Sequence, residues 1–467
     1  MNLSGLEEVY SQRMPEKIDT SEMLNLLKTA YITTGEPVEV DFRSLVDWVK
    51  IGDQYSHLLH PYPAKLLPHI ANFFLRCSSL VGKEAMVLDP FCGSGTVALE
   101  AFLAGHTPLI ADANPLALLI AKVKTTTFNE TVLVQLAKSI CCRAKSFRTA
   151  PTIHVINDHL WYSPRIKIAL EKLVRAIREL PRNIEREFFE LCLSVTARRL
   201  SFADPRISVP VRLRIKPSLG NVASKIISER LEWLQDVNVI AEFQKTVDTN
   251  IQRIQQTNRA ANGCRARTKI VGSDARDLRE SVSGTKLQDN CVDLVITSPP
   301  YGSAQKYVRA SSLSLNWLGY ASPDTLKHLE RISIGREHVP ASWQISNGSL
   351  SSSFENLLDR VGQKNRTRER ITRTYLIELR QAMVEVARVT KDGGTIIVVV
   401  GNNQVCGETL RNDEYLKEVL TDLRFEITLH LIDHIKSRGL MTKRNKTASI
   451  ISRESVLVFT KSLYRGS

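Results

Sequence analysis

The residues with the clearest chemical potential are Ser298-Pro299-Pro300-Tyr301, which follow the apolar run Cys291-Val-Asp-Leu-Val-Ile296. Two consecutive prolines fix φ and remove both amide donors, so the turn offers carbonyl oxygens and no N–H groups. Such a turn suits a substrate that is itself a donor, such as an exocyclic amine. That amine is a poor nucleophile, because its lone pair is delocalised into the ring. Acceptors that bind its hydrogens draw the nitrogen toward a tetrahedral, nucleophilic geometry. The Ser298 side chain and the Pro299 carbonyl fit that role, and Pro300 stiffens the turn. Tyr301 offers a ring on which a base can stack, worth about 1–3 kcal/mol. The bland alternative is a rigid strand-end turn.

A second turn, Asp89-Pro-Phe-Cys-Gly-Ser-Gly-Thr96, follows the short apolar run Ala85–Leu88. Gly93 and Gly95 allow close approach of backbone to a ligand, and amides at the following helix start would face it. One strand later stands Asp112, placed to hydrogen-bond ribose hydroxyls. Together these describe a nucleoside-cofactor site, although a strand-to-helix turn without ligand remains open. The spacing is not G-x-G-x-x-G, so a dinucleotide is not favoured.

The elements around these motifs spell an α/β domain. Strand, Gly-rich turn and helix (Val97–Ala104) open it; a second strand, Pro108–Ala111, and a helix from Asn114-Pro115 to about Lys124 follow. The next convincing strand, Lys269–Val271, comes about 140 residues later, too far for a loop in an α/β unit. The interval reads as helical over Ile166–Leu180, Phe188–Leu200 and about 222–254, broken by the proline-punctuated Ala203–Pro210. The sheet resumes at Cys291–Ile296. A polar stretch then runs to about Arg360, and a helix spans about Ile371–Val389. Strands are predicted at Gly393–Gly401, Phe425–Leu431 and Val456–Lys461.

The 467 residues carry 63 Lys+Arg against 49 Asp+Glu, a net charge of +14. Between Thr131 and Thr268 stand 24 Lys/Arg and 12 Asp/Glu, so this interval holds +12 of the excess. The balance favours a polyanionic partner, nucleic acid before membrane surface. No apolar run reaches the ~18 residues of a membrane span. The N-terminus has no leader pattern, and the eight cysteines lack paired metal spacing, so a reducing, cytoplasmic setting without structural disulfides is expected. No Pro-Cys dipeptide occurs, which argues against C5-cytosine chemistry through a thiolate. Cys92 reads as packing. No His/Cys/Asp cluster suggests a metal, and methyl transfer from a sulfonium needs none.

Asp-Pro-Phe-Cys-Gly-Ser-Gly-Thr (89–96) together with Thr-Ser-Pro-Pro-Tyr (297–301) resembles the S-adenosylmethionine-dependent amino-methyltransferases of DNA, the N4-cytosine and N6-adenine enzymes of bacterial and archaeal modification systems. The Ser-initial turn resembles the N4-cytosine branch; Asp or Asn there is the usual N6-adenine form. The resemblance covers about 60–124 and 268–461 and implies a class I methyltransferase fold, a Rossmann-like seven-stranded sheet with a large helical insertion. The resemblance does not place the inserted unit; with the spacing and charge above, the expected divisions are an N-terminal extension (1–59), a cofactor part (60–124), a basic helical insertion (125–268) that is a candidate target-recognition unit, and a catalytic part (269–467).

By position the resemblance implies that Asp89, Phe91, Gly93 and Gly95 line the methionine end of S-adenosyl-L-methionine, Asp112 holds the ribose and Asp274 meets the adenine amino group, with Thr96 a further cofactor-binding residue. Ser298, Pro299, Pro300 and Tyr301 would form the catalytic turn. His60-Pro-Tyr-Pro-Ala-Lys65 resembles the segment that covers the methionine part, or is a proline-rich linker. Cofactor motif first and Ser-Pro-Pro-Tyr second reverses the order of many N4-cytosine enzymes, which leaves the target-recognition region open between the insertion and Gly302–Arg360. The basic run Lys436–Lys446 is a further candidate clamp on DNA backbone. The implied partners are duplex DNA, entered by base flipping, and a cognate restriction endonuclease, with no membrane. N6-adenine methylation, an RNA base methyltransferase and a non-catalytic DNA-binding relative are the alternatives.

Overall fold

The computed structural model describes residues 18–463, apart from 51, 53, 64, 216–219, 262, 265, 282, 303–305, 341, 344–347 and 436–451. Its sheet strands are β1 (Val38–Val40), β2 (Met86–Asp89), β3 (Thr107–Ile110), β4 (Lys269–Ile270), β5 (Val292–Thr297), β6 (Thr390–Val400), β9 (Phe425–His434) and β10 (Arg453–Lys461). A hairpin of β7 (Asn403–Val405) and β8 (Glu408–Leu410) stands apart. The sheet order is β1-β9-β10-β6-β5-β2-β3-β4, with β10 antiparallel to both neighbours and every other pairing parallel. Seven of these strands form the expected doubly wound sheet, whose order reverses between β2 and β5. The N-terminal extension adds an eighth, β1, on the outer edge of β9.

Burial on both faces explains why the central strands read as unbroken apolar runs. Along β6 the alternation is strict: Ile396, Val398 and Val400 pack with the helices Ser352–Lys364, Arg366–Val389 and Asn412–Asp422. Ile397 and Val399 face the helices Ser21–Thr34, Pro68–Leu75 and Thr96–Leu103. The Lys-Asp-Gly-Gly segment forms a bulge at the start of β6. Its partner on β5 jumps from Val292 opposite Thr390 to Leu294 opposite Thr395.

The interval between the second and third of the seven strands is helical, as expected. It holds Glu130–Ser146, Asp158–Trp161, Pro164–Arg178, Ile184–Arg199, Asn221–Asp236 and Val239–Ala260. The expected helix over 222–254 is two, divided where Asn238 caps the second by accepting from the Ala241 amide. Helix Glu130–Ser146 was not foreseen, since its apolar stripe is narrow. Among the described residues the interval has no separate core: Leu170, Phe188 and Phe243 pack in one cluster with Ala117 and Ile120 of helix Pro115–Lys124 and with Leu315 and Trp317 of helix Tyr307–Leu318. The polar stretch after Tyr301 also carries helices, Tyr307–Leu318, Leu326–Ile332 and Ser352–Lys364. Among the described residues no helix is long and apolar enough to cross a membrane.

Candidate active site

The two motifs meet because β2 and β5 are neighbours and parallel, so the turns that leave them emerge at the same edge of the sheet. This is the edge where open α/β sheets bind ligands, at the point where strand order reverses. Thr297, the last residue of β5, ties the turns together: its hydroxyl donates to Asp89 Oδ1 at 2.7 Å. The same oxygen accepts from the Phe91 amide at 3.2 Å. Burial pushes the Asp89 carboxyl up to about 7, against the pull of these two hydrogen bonds. Asp112 follows β3; its Oδ2 accepts from the Gly93 amide and its Oδ1 from the Asn114 amide, both at 2.8 Å. Burial pushes this carboxyl up to about 6. Among the described residues neither carboxylate has an ion pair.

Two carboxylates at one strand edge, Asp89 buried and Asp112 half-buried, with hydrogen bonds but no ion pair among the described residues, fit a ligand that brings positive charge. S-adenosylmethionine carries both a sulfonium and an ammonium. The Asp89–Thr96 turn also departs from the simple expectation for its glycines. Gly95 stands at φ +72, and a Cβ there would lie 2.7 Å from the Ala121 backbone. Its missing side chain therefore lets helix Thr96–Leu103 pack on helix Pro115–Lys124, rather than admitting a ligand. Gly93, at φ +47, lies where a Cβ would meet the Tyr62 ring at 3.5 Å. Tyr62 accepts from Asn114 Nδ2 at 3.1 Å, which sets part of the His60–Lys65 segment over this turn. His60 is buried against Ser194 of the insertion, with Nε2 and Oγ 2.8 Å apart. Thr96 is buried at the helix start with its hydroxyl 3.2 Å from that of Ser94, and Phe91 is half-buried. Cys92 is buried packing, as expected.

Asp274 follows β4 and is bound by a neighbour: Arg276 forks onto both carboxylate oxygens at 2.8–3.1 Å. Arg276 also pairs with Glu378 at 3.0 Å, and Glu378 in turn holds the buried Arg336 at 2.6 Å. Asp274 is 38% exposed and has lone pairs left for a further donor.

The Ser298–Tyr301 turn is walled on two sides. Gly335 packs where a Cβ would lie 3.3 Å from the Tyr301 carbonyl. Gly302, directly after the motif, lies so close to the Tyr375 ring that a Cβ would meet it at 2.7 Å. Asn403 Nδ2 donates to the Gly302 carbonyl at 3.4 Å, and Asn412 Nδ2 donates to Asn403 Oδ1 at 2.9 Å. Pro299 is buried, whereas Ser298, Pro300 and Tyr301 are half-buried. The Tyr301 hydroxyl donates to Glu454 Oε1 at 3.0 Å.

Sequence reasoning missed Glu454, Gly335 and the linking role of Thr297, and read Asn114 only as a helix cap. Only Thr297 had a signal, as the first residue of the quoted motif. The Lys436–Lys446 run lies outside the described residues. Among the described residues no group of His, Cys, Asp or Glu is arranged to hold a metal.

Comparison with known proteins gives concordant results. Residues 58–141 match the family model of the RMKL-like methyltransferase domain. The type II methyltransferase M.MvaI of Kocuria varians is 24% identical over 421 residues, spanning 85% of this chain and 88% of that protein. The type II methyltransferase M.MjaII of Methanocaldococcus jannaschii is 27% identical over 138 residues, 28% of this chain and 26% of that protein. A solved SAM-dependent methyltransferase from Methanosarcina mazei aligns at 12% identity with a TM-score of 0.28, over 82% of this chain and 96% of that one. The chain is thus similar over most of its length to a type II DNA methyltransferase, and its residues 58–141 match a methyltransferase domain model.

Proposed function

We propose that the protein transfers the methyl group of S-adenosyl-L-methionine to the exocyclic N4 amine of a cytosine flipped out of duplex DNA. The observation that carries this reading is the Thr297–Asp89 hydrogen bond, which holds the cofactor turn and the amine-binding turn at adjacent strand ends. Asp89, Phe91, Gly93, Thr96 and Asp112 would hold the methionine and ribose parts, and Asp274 the adenine amine. Bound there, the cofactor supplies an electrophilic methyl on a positively charged sulfur.

The rest falls to the chain's own residues. Tyr301 stacks the flipped base. The Ser298 hydroxyl oxygen and the Pro299 carbonyl accept from the 4-amino hydrogens and aim its lone pair at the methyl. Once methylated, the amine is cationic and strongly acidic, so its proton leaves without a potent base. The site's contribution is placement and fixed dipoles.

The basic interval 125–268 supports duplex DNA as the polyanion, with phosphate contacts supplying most of the affinity. A cognate restriction endonuclease belongs to the same reading, as does a prokaryotic cytoplasm. The RNA and non-catalytic alternatives have no feature of the site in their favour. N6-adenine keeps every role above and changes only the base that Ser298 receives. Incubating the protein with unmodified duplex DNA and methyl-labelled cofactor, then digesting to nucleosides, separates them. Label in N4-methylcytosine is expected; label in N6-methyladenine would overturn the assignment of the base, and label only with RNA would overturn the substrate.

A further inference from the structure

Glu454 stands in the candidate pocket through topology alone. β10 is the one strand of the sheet that runs antiparallel, so its first residues arrive where β5, β6 and β9 end. Arg453 pairs with His434, the last residue of β9, and Ser455 pairs with Val400, the last residue of β6. Glu454 between them is level with the exit of β6, and β5 lies one strand further along. From there its Oε1 accepts the Tyr301 hydroxyl at 3.0 Å. Its cross-strand partner is Asp433, itself buried and accepting from the Phe42 amide. Nothing in the transfer itself uses Glu454, and a half-buried carboxylate without an ion pair among the described residues is costly to keep without a task. Burial raises its pKa.

We propose that Glu454 is a positioning residue for the methyl transfer: its carboxylate holds the Tyr301 hydroxyl and so fixes the ring on which the target base stacks. The inference rests on the proposed function. A tyrosine ring is free to swing about two side-chain torsions, and a base stacked on a moving ring would spend little time in line with the methyl group. One end of Tyr301 is anchored by the rigid Pro-Pro backbone. The hydrogen bond to Glu454 anchors the other, so both torsions are set before DNA arrives. A charge-assisted bond of this kind is among the stronger ones available to a side chain.

The test is a cycle of Tyr301→Phe, Glu454→Ala and their double variant, with Glu454→Gln as the conservative control. Each is measured for transfer rate on unmodified plasmid DNA, KM for DNA and cofactor affinity. Tyr301→Phe and Glu454→Ala should each lower kcat about tenfold with little change in KM or cofactor affinity. The double variant should be no slower than Tyr301→Phe alone. Glu454→Gln, whose amide oxygen still accepts, should recover most of the loss. Losses that multiply in the double variant, or a Glu454→Gln as slow as Glu454→Ala, would overturn the proposal. The tether also reads out without substrate, in protein carrying 13Cζ-labelled tyrosine. The resonance missing in Tyr301→Phe should shift in Glu454→Ala and return toward its place in Glu454→Gln. An unmoved resonance overturns the tether even if the wild type leaves DNA unmethylated, a result that would separately overturn the proposed function.

Discussion

Asp89 and Asp112 put the chemistry of the site within reach of pH. A carboxyl raised to about 7 and another raised to about 6 are partly protonated near neutrality in the free protein. A cofactor bearing an ammonium and a sulfonium binds their ionised forms, so binding should expel protons. Affinity for S-adenosylmethionine should therefore climb as pH rises through 6 to 7 and level above about 7.5, steepest where both groups titrate. Calorimetry in buffers of different ionisation enthalpy would show the released proton. An affinity flat from pH 5.5 to 8 would contradict the assignment. Thr297→Val keeps the shape and removes the donor to Asp89 Oδ1. It should lower kcat/KM about tenfold, the order expected for one hydrogen bond to a charged group, while the fold survives; melting temperature and initial rates check both halves.

At the scale of elements, the site depends on close approaches that no side chain could share. Gly95→Ala would place a methyl against the Ala121 backbone at a positive φ, forcing helix Thr96–Leu103 away from its neighbour. The expected cost is about 2 kcal/mol or more, read by denaturant unfolding. Gly302→Ala meets the Tyr375 ring instead; it should slow transfer while cofactor affinity holds.

These two glycines also mark how far the sequence could be read. The strand–turn–helix around 89–96 and the strand before Ser298 were legible, because apolar runs and turn residues are local signals. What the glycines lie against was not, since Ala121 and Tyr375 are distant in the chain. The same limit hid Glu454. The apolar pattern starts β10 at Val456, but pairing with β9 extends it back to Arg453. The added residues are polar ones that only the neighbouring strands make strand-like. The eighth strand, Val38–Val40, is three residues long and carried no periodic signal.

For the whole molecule, the structure weaves what the charge pattern set apart. The basic interval shares a core with helices Pro115–Lys124 and Tyr307–Leu318, which follow Asp112 and the Ser298–Tyr301 turn, so DNA held by the interval would be held rigidly relative to the proposed pocket. Arg212 and Arg214 are exposed on the segment between helices Ile184–Arg199 and Asn221–Asp236. Replacing both with alanine should weaken DNA binding and reduce the slope of log affinity against log salt by up to about 2, leaving cofactor affinity intact. Buried histidines set a second property of the whole. His60 and His430 are held near pKa 4, chiefly by burial, so the folded state keeps them neutral. The unfolded chain protonates them near 6.5. Their contribution to stability is thus complete above about 6.5 and is lost as pH falls toward 4. Urea titrations across that range should show the midpoint dropping, and His430→Gln should flatten the fall.

The central claim is that the turns at 89–96 and 298–301 form one pocket for amine methylation. Its most direct test is mass spectrometry of nucleosides from the DNA of cells expressing the wild type or Ser298→Ala/Tyr301→Ala. N4-methylcytosine is expected with the wild type and none with the double variant, whose purified protein should still bind S-adenosylmethionine. Equal levels of modified base in both would contradict it.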